Sequence, residues 1–532
     1  MHLMITQTKY KGKVKKYAKI VQSYNDKNTS RQKIILNLGI INSEADEKNF
    51  RTILNSMRKK RKFVDISNIK AKTAKEYGIT YTTDKLLEKY EIDSILKNEL
   101  SKNNAKFRIY PIIKALIINR LVNPSSDLSA YNWICNDYCK KINIQKHNIY
   151  RALDYLIERK DDIEKDIYTK LKNKLNLNTK KVHYDLTSSY LEGHNCQIAM
   201  YGYSRDHRPD RQQIVIGLVM VDGIPIYHKV FEGNTADKST LSGIAEKLKS
   251  RFDLKAPIII ADRGLITEEN LQMLETNKQK YILGFSKRNN NLTKELIVQD
   301  IKSNKNQIAK IIKTENNRKY VLCLDNNTRN ERLEILENIK KNISGKLNEL
   351  TAKFEKSQAS DKKNKITKES LILQVDKILG KNRRLFDLKY EDETFLFNVN
   401  KDAWDYEQKS AGKFLLVTNT NLKADEVMKS YKALQSVENA FDEIKNFLDV
   451  RPIWHFKESR VKAHVFVCVL GFLIESIIER YSKESARRTL KKLGRIKKIE
   501  LGVNNSDMQL ITESTKEIED IFANLKIPKI IL

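Results

Sequence analysis

Three acidic residues, far apart in the chain, are the ones whose type and setting could do chemistry. Asp185 lies in HYDLTSSY with apolar residues on both sides, Asp262 ends the apolar run APIIIADRG, and Glu438 lies in YKALQSVENAFDEIK at 431–445. In that last stretch Tyr431, Leu434, Glu438 and Lys445 recur at i, i+3, i+7 and i+14, on one helical face about 20 Å long. A buried stripe would be apolar at each of these positions; this one offers a phenol, an apolar contact, a carboxylate and an amine. Two aspartates at strand ends and a glutamate on a later helix are what two-metal phosphoryl chemistry requires. Carboxylates hold two divalent ions about 3.5–4 Å apart, one activating the attacking oxygen and the other steadying the leaving oxygen. Mg²⁺ (or Mn²⁺) suits a donor set made of oxygens. Taken singly, each acid also has a plainer reading: a solvated helix face for Glu438, a backbone-bonded strand-end acid for Asp185, a loop cap for Asp262.

The elements that must position these acids begin at Lys180. VHYDLTSSY, QQIVIGLVMVDG and IPIYHKVFEG read as three strands, the last two joined by the turn signal Asp222-Gly223. Residues 235–252 form an amphipathic helix, APIIIADRG a buried strand, ITEENLQML a helix and KYILGFSK a fifth strand. The order β-β-β-α-β-α-β, with an acid in the first strand and another ending the fourth, is a ribonuclease-H-like α/β order with a mixed five-stranded sheet. In such a sheet the first and fourth strands are neighbours, so Asp185 and Asp262 meet although 77 residues separate them.

The flanks divide more coarsely. Residues 1–62 read as a small β unit plus a helix starting at Ser43, with turn residues at 25–28 and a basic run at 58–62. Residues 63–178 read as helical, a candidate DNA-end-binding region in which Lys146, His147 and Arg151 open a second helix; an ordinary helical bundle gives the same pattern. The core is expected over 179–290, interrupted by an α+β insertion at 291–420 and completed by the glutamate helix at 421–460. In the insertion, Leu336, Ile339, Ile343, Leu347, Leu350 and Phe354 mark a helix-pair stripe, and 357–365 is polar and expected to be mobile. Residues 461–532 read as helical, apolar first and basic after Ser482.

The bulk numbers fit this plan. Lys and Arg outnumber Asp and Glu by 99 to 67, a formal charge of +32, which favours a polyanionic partner through counterion release. An apolar fraction of 40% with 31% charged residues describes a globular chain of several domains. No apolar run reaches a membrane span; the longest, Val465–Ile478, is interrupted by Glu475. The N-terminus has no signal-peptide layout, and five cysteines without framework spacing read as reduced thiols. A cytoplasmic, nucleoid-associated protein with no membrane partner is expected.

Several motifs together carry a resemblance. HYDLTSSYLEG, GYSRDHRPDRQQIVIGLV, IIADRGLITEENL and YKALQSVENAFDEIKNFLDVRPIWH resemble bacterial insertion-sequence transposases of the DDE class, in the branch whose glutamate helix reads Y-x2-R-x3-E-x6-K. The resemblance implies a metal-binding catalytic triad of Asp185, Asp262 and Glu438, with Tyr431 and Lys445 touching the element's end. It implies double-stranded DNA as partner, both inverted-repeat ends and target, and a homodimer when bound to it. The family's Arg falls at Leu434, so a phosphate contact there is lost or supplied elsewhere, and a hairpin route is in doubt. Further DNA contacts are expected from the loop Arg205, His207, Arg208 and Arg211, from Arg263, and from Arg451, His455 and Arg460. Trp454 reads as packing more than base stacking, and His464 as a core histidine. The expected activity is cutting of the element's ends and joining of the 3′-hydroxyls to target DNA; alternatives are a nuclease that does not join, or an inactive DNA-binding derivative.

Overall fold

In the computed structural model, residues 1–532 are described except for 11, 27–28, 60–68, 193–194, 253, 255–256, 286–290, 302–304, 360–364, 392–393, 504–505 and 532. Parts of the expected turn at 25–28, basic run at 58–62 and polar stretch at 357–365 lie outside the described residues. The chain divides into two compact units, Met1–Ala74 with Lys498–Thr512, and Lys75–Lys497 with Glu513–Ile531.

In the first unit, strands β1 (His2–Tyr10), β2 (Lys13–Asp26) and β3 (Thr29–Ile41) form an antiparallel sheet, with Ala18, Ile20 and Val21 of the central strand buried. Helix α1 (Glu44–Arg58) follows. Its start is dictated locally: the Ser43 hydroxyl accepts from the Asp46 amide at 3.2 Å, and Asp46 accepts from the Ser43 amide at 2.9 Å, a capping box. The expectation that 63–178 and 461–532 are wholly helical is corrected here. Strand β4 (Lys70–Glu76) forms a sheet with two strands near the C-terminus, Lys497–Val503 and Ser506–Ile511. These short segments alternate too weakly to stand out from their charged surroundings.

The second unit opens with six helices: α2 (Gly78–Lys89), α3 (Ile92–Ser101), α4 (Ile109–Val122), α5 (Asp127–Asn136), α6 (Lys146–Glu158) and α7 (Lys160–Lys174). The central sheet follows with β5 (Lys181–Tyr190), β6 (Gln213–Val221), β7 (Ile224–Glu232), helix α8 (Leu241–Phe252), β8 (Ile258–Ala261), helix α9 (Glu268–Thr276) and β9 (Lys280–Phe285). Asp222 and Gly223 both take positive φ, 51° and 79°, between paired Val221 and Ile224, as a two-residue hairpin turn demands. Strand order β7-β6-β5-β8-β9, with β5 and β8 parallel, is the ribonuclease-H-like arrangement.

The sheet continues past β9, which the pattern of strands did not reveal. After the short helix α10 (Asn291–Ile297), strands β10 (Gln307–Glu315) and β11 (Arg318–Asp325) join it. So does a strand from the far side of the insertion, and the sheet has eight strands instead of five. The excursion that leaves the sheet is correspondingly shorter: helix α11 (Asn326–Gln358), α12 (Lys368–Leu379), strands β12 (Phe386–Tyr390) and β13 (Phe395–Val399), and α13 (Lys401–Ser410). Its core sets the α11 stripe Leu336, Ile343, Leu347, Leu350 and Phe354 against Leu371, Val375, Phe386, Phe395 and Trp404. The chain then returns through β14 (Lys413–Thr418), which pairs with β9 and β11.

Two helices follow where one was expected: α14 (Ala424–Lys432) and α15 (Gln435–Asn446), with the break at Ala433–Leu434. Leu434 is buried there. Helix α16 (Glu458–Tyr481) is long and apolar enough to cross a membrane, but 94% of its apolar window is buried inside the protein. It is a core helix, packed on α4, α6 and β7.

Candidate active site

The register of β5 and β8 decides the site. Tyr184 pairs with Ala261 across the parallel ladder, so Asp185 and Asp262 leave neighbouring strands at one level. Helix α15 packs on β5 and carries Glu438 in its first turn. Asp185, Asp262 and Glu438 line one cavity of about 280 Å³, together with Arg205, Asp237, Thr187, Gly264 and Phe441. Burial raises the Asp185 carboxyl to about 7; the Leu186 amide pulls it down, the charges of Asp262 and Glu438 push it up, and Arg205 lowers it. Three carboxylates sharing one cavity, Asp185 and Asp262 half-buried and Glu438 exposed, call for cationic compensation, and their donor chemistry fits a hard divalent ion. They are not drawn into one tight cluster. Among the described residues only Asp127, His455 and His464 have donor atoms all within 4.8 Å of one another.

Tyr431, expected to touch DNA, lies on α14 and donates from Oη to Asp262 Oδ1 at 2.7 Å. Its ring fits over β9 because residue 284 is glycine: a Cβ there would stand 2.3 Å from the Tyr431 hydroxyl. Lys445 donates to Asp206 Oδ1 at 2.7 Å, and Arg451 Nη1 binds the same oxygen. The Asp206 and Lys445 side chains are only 1% and 9% exposed.

Most of the other expected DNA contacts are tied to carboxylates within the chain. Arg205 pairs with Asp237 at 2.6 Å, Arg208 with Asp210 at 2.8 Å, Arg211 with Glu192 at 2.9 Å and Arg460 with Asp154 at 3.0 Å. His207 and Arg263 are exposed, as are Lys146, His147 and Arg151. Trp454 is 57% exposed, so it does not pack in the core.

His455 lines a different cavity, of about 560 Å³, together with Tyr150, Trp454 and Arg460. It is buried and binds Asp127 Oδ2, which also has His464 Nδ1 at 3.6 Å. The His464 Nε2 lies 3.1 Å from the Val450 carbonyl. The three donors are spaced for a metal ion, yet Arg120 Nη2 is already there, 3.3 Å from Asp127 Oδ1 and 3.5 Å from His464 Nδ1. A buried guanidinium takes the place of a cation, and the cluster clasps α4 and α5 to the segment entering α16.

Asp206, Asp237 and Asp127 were missed by sequence reasoning. Each lies in a polar stretch between periodic elements, and no local signal marks where such a residue ends up.

A mixed sheet in ribonuclease-H-like order, with three acids around one cavity beside its first and fourth strands, defines the polynucleotidyl-transferase class of fold. The sequence matches the transposase DDE domain over residues 184–473, and the N-terminal domain of IS1634 family transposases over residues 3–67. The chain therefore belongs to the DDE transposases, of the insertion-sequence kind; it is a DDE-type enzyme acting on DNA, and such domains use divalent metal ions. No curated protein matches it significantly. Among solved structures, a piggyBac transposase synaptic complex with hairpin DNA aligns at 9% identity over 80% of this chain and 82% of that one. Its TM-score is 0.36, too loose a likeness to build on.

Proposed function

We propose that Asp185, Asp262 and Glu438 are the catalytic triad of this transposase and hold two Mg²⁺ (or Mn²⁺) ions. The observation that carries the reading is the convergence of these three carboxylates, from β5, the end of β8 and α15, on one cavity. When bound, the ions would activate the attacking oxygen and neutralise charge at the scissile phosphate. The chain's own residues orient this centre: Tyr431 fixes one Asp262 oxygen through its hydroxyl, and the Leu186 amide fixes Asp185 Oδ1 at 2.8 Å. Cutting the element's ends and joining the 3′-hydroxyls to target are both in-line displacements at phosphorus, so one centre serves both.

Double-stranded DNA is gripped by Arg205 at the cavity and by His207, Arg208, Arg211, Arg263, Lys445, Arg451, His455 and Arg460 outside its lining. Where these are paired internally, phosphates exchange with the carboxylate partners. Two ends handled together call for a homodimer on DNA, in the bacterial cytoplasm at the nucleoid. Leu434 is buried where the family places Arg, so no guanidinium is available there to hold a hairpin.

The test is cleavage and strand joining on DNA carrying the element's ends, with and without Mg²⁺. Asp185→Asn, Asp262→Asn and Glu438→Gln should each abolish both steps while end binding persists. Normal cutting by any of them would remove that residue from the triad; cutting without joining by the wild type would mark a nuclease.

A further inference from the structure

Among the described residues, the active-site cavity is lined by four carboxylates, not three, and by a single cation. The fourth is Asp237, in the turn between β7 and α8, whose Oδ2 accepts from Arg205 Nη2 at 2.6 Å. We propose that Asp237 is a positioning residue that aims Arg205 at the scissile phosphate, where the guanidinium binds a non-bridging oxygen. This rests on the triad reading above.

Three observations support it. Arg205 is held from both ends: its backbone amide donates to the buried Ser188 hydroxyl at 2.8 Å, three residues beyond Asp185 on β5, and its head is held by Asp237. Arg205 and Asp237 line the same cavity as Asp185, Asp262 and Glu438. Among the described residues Asp237 is the one carboxylate that engages the Arg205 head, which leaves most of its five donors available to an incoming oxygen. The approach of Asp237 to the cavity also depends on the chain just past Asp262. A Cβ on Gly264 would stand 3.1 Å from Asp237 Oδ2, and Asn270 Nδ2 fastens the two short turns together through the carbonyls of Lys238 (2.6 Å) and Leu265 (2.8 Å).

The charge count points the same way. Among the described residues, four ionised carboxylates and one guanidinium would carry a formal −3; two divalent ions would bring this to +1, and one phosphodiester to zero. Without Asp237 the occupied cavity would keep an excess positive charge and hold product phosphate more tightly.

The experiment is a double-mutant cycle on single-turnover cleavage of an element-end substrate, with end binding and Mg²⁺ dependence measured in parallel. Asp237→Ala and Arg205→Ala should each slow cleavage by about 10- to 100-fold, the range for a lost charge-assisted hydrogen bond. Affinity for the ends and the Mg²⁺ needed for half-maximal rate should stay within about threefold, and the double variant should be no slower than the worse single one. Losses that multiply would overturn the proposal, since the two side chains would then act independently. A tenfold rise in the Mg²⁺ requirement for Asp237→Ala alone would overturn it too, by making Asp237 a metal ligand. If Asp237→Ala loses end binding through misfolding, Arg205→Ala decides alone: a normal cleavage rate with normal binding refutes the role. Wild-type cutting by Asp185→Asn would instead remove the triad itself.

Discussion

Tyr431 and Asp262 are joined by a 2.7 Å hydrogen bond between a helix and a strand end 169 residues apart. Burial, and then the charge of Asp262, push the phenol's pKa up, so it stays protonated and donates. Tyr431→Phe should slow single-turnover cleavage roughly tenfold, the scale of one charge-assisted hydrogen bond, with end affinity nearly unchanged. Gly284→Ala, which collides with the same hydroxyl, should reproduce that defect and cost about 1–3 kcal/mol of stability. Rate and affinity measured side by side check this; a loss of affinity at constant rate would make Tyr431 a phosphate contact instead.

Asp185 gives the metal-free protein a pH signature. Its folded pKa, about 7, lies above the ordinary carboxyl range near 4. The protonated form therefore favours the fold, and that stability is lost as pH rises from about 4 towards 7. Thermal unfolding without metal should show this slope in the wild type and lose most of it in Asp185→Asn. Added Mg²⁺ should raise the wild-type Tm more at pH 8 than at pH 6, because at the lower pH a proton competes for the site. Equal shifts at both pH values would contradict the assignment.

Asp206 is a buried anion shared by Lys445 and Arg451, and its second oxygen is buried without a partner. Asp206→Asn leaves two cations without their counterion, one of them nearly buried. The expected cost is about 3 kcal/mol, typical of breaking a buried pair from one side, read by urea unfolding. A cost below about 1 kcal/mol would mean that solvent or Asn446, which binds Arg451 Nη2 at 2.6 Å, takes over.

Glu475 lies in the C-terminal third of the buried helix α16 with both carboxylate oxygens unpartnered. Burial, then the neighbouring Glu443, raise its pKa well above the ordinary value. The stability tied to its proton is complete below the unfolded-state value near 4.5 and is lost as pH rises above it. Glu475→Gln should accordingly raise Tm at pH 8 and leave it unchanged near pH 4. A lower Tm at pH 8 would show that the charged form has a use in the folded protein.

What the sequence by itself determined was local. Short apolar runs placed β5, β6, β7, β8 and β9, the Asp222-Gly223 pair placed a hairpin, and the chain order of these elements, with acids at two strand ends, was enough for the ribonuclease-H-like class. Period and turn chemistry act over a few residues, so they survive in the bare string. The break at Ala433–Leu434 was invisible because Tyr431 and Glu438 stay in helical phase across it. The recruitment of β10, β11 and β14 to the sheet was hidden because nothing in a short apolar run says which edge it will pair with.

Tertiary structure alone decided where the charges go. Asp206 meets Lys445 across 239 residues, Asp154 meets Arg460 across 306, and Asp127 meets His455 across 328. A cation in the sequence looks equally ready for phosphate or for a distant carboxylate. The choice is fixed by burial, since a desolvated charge must find its counterion wherever the fold brings one within reach.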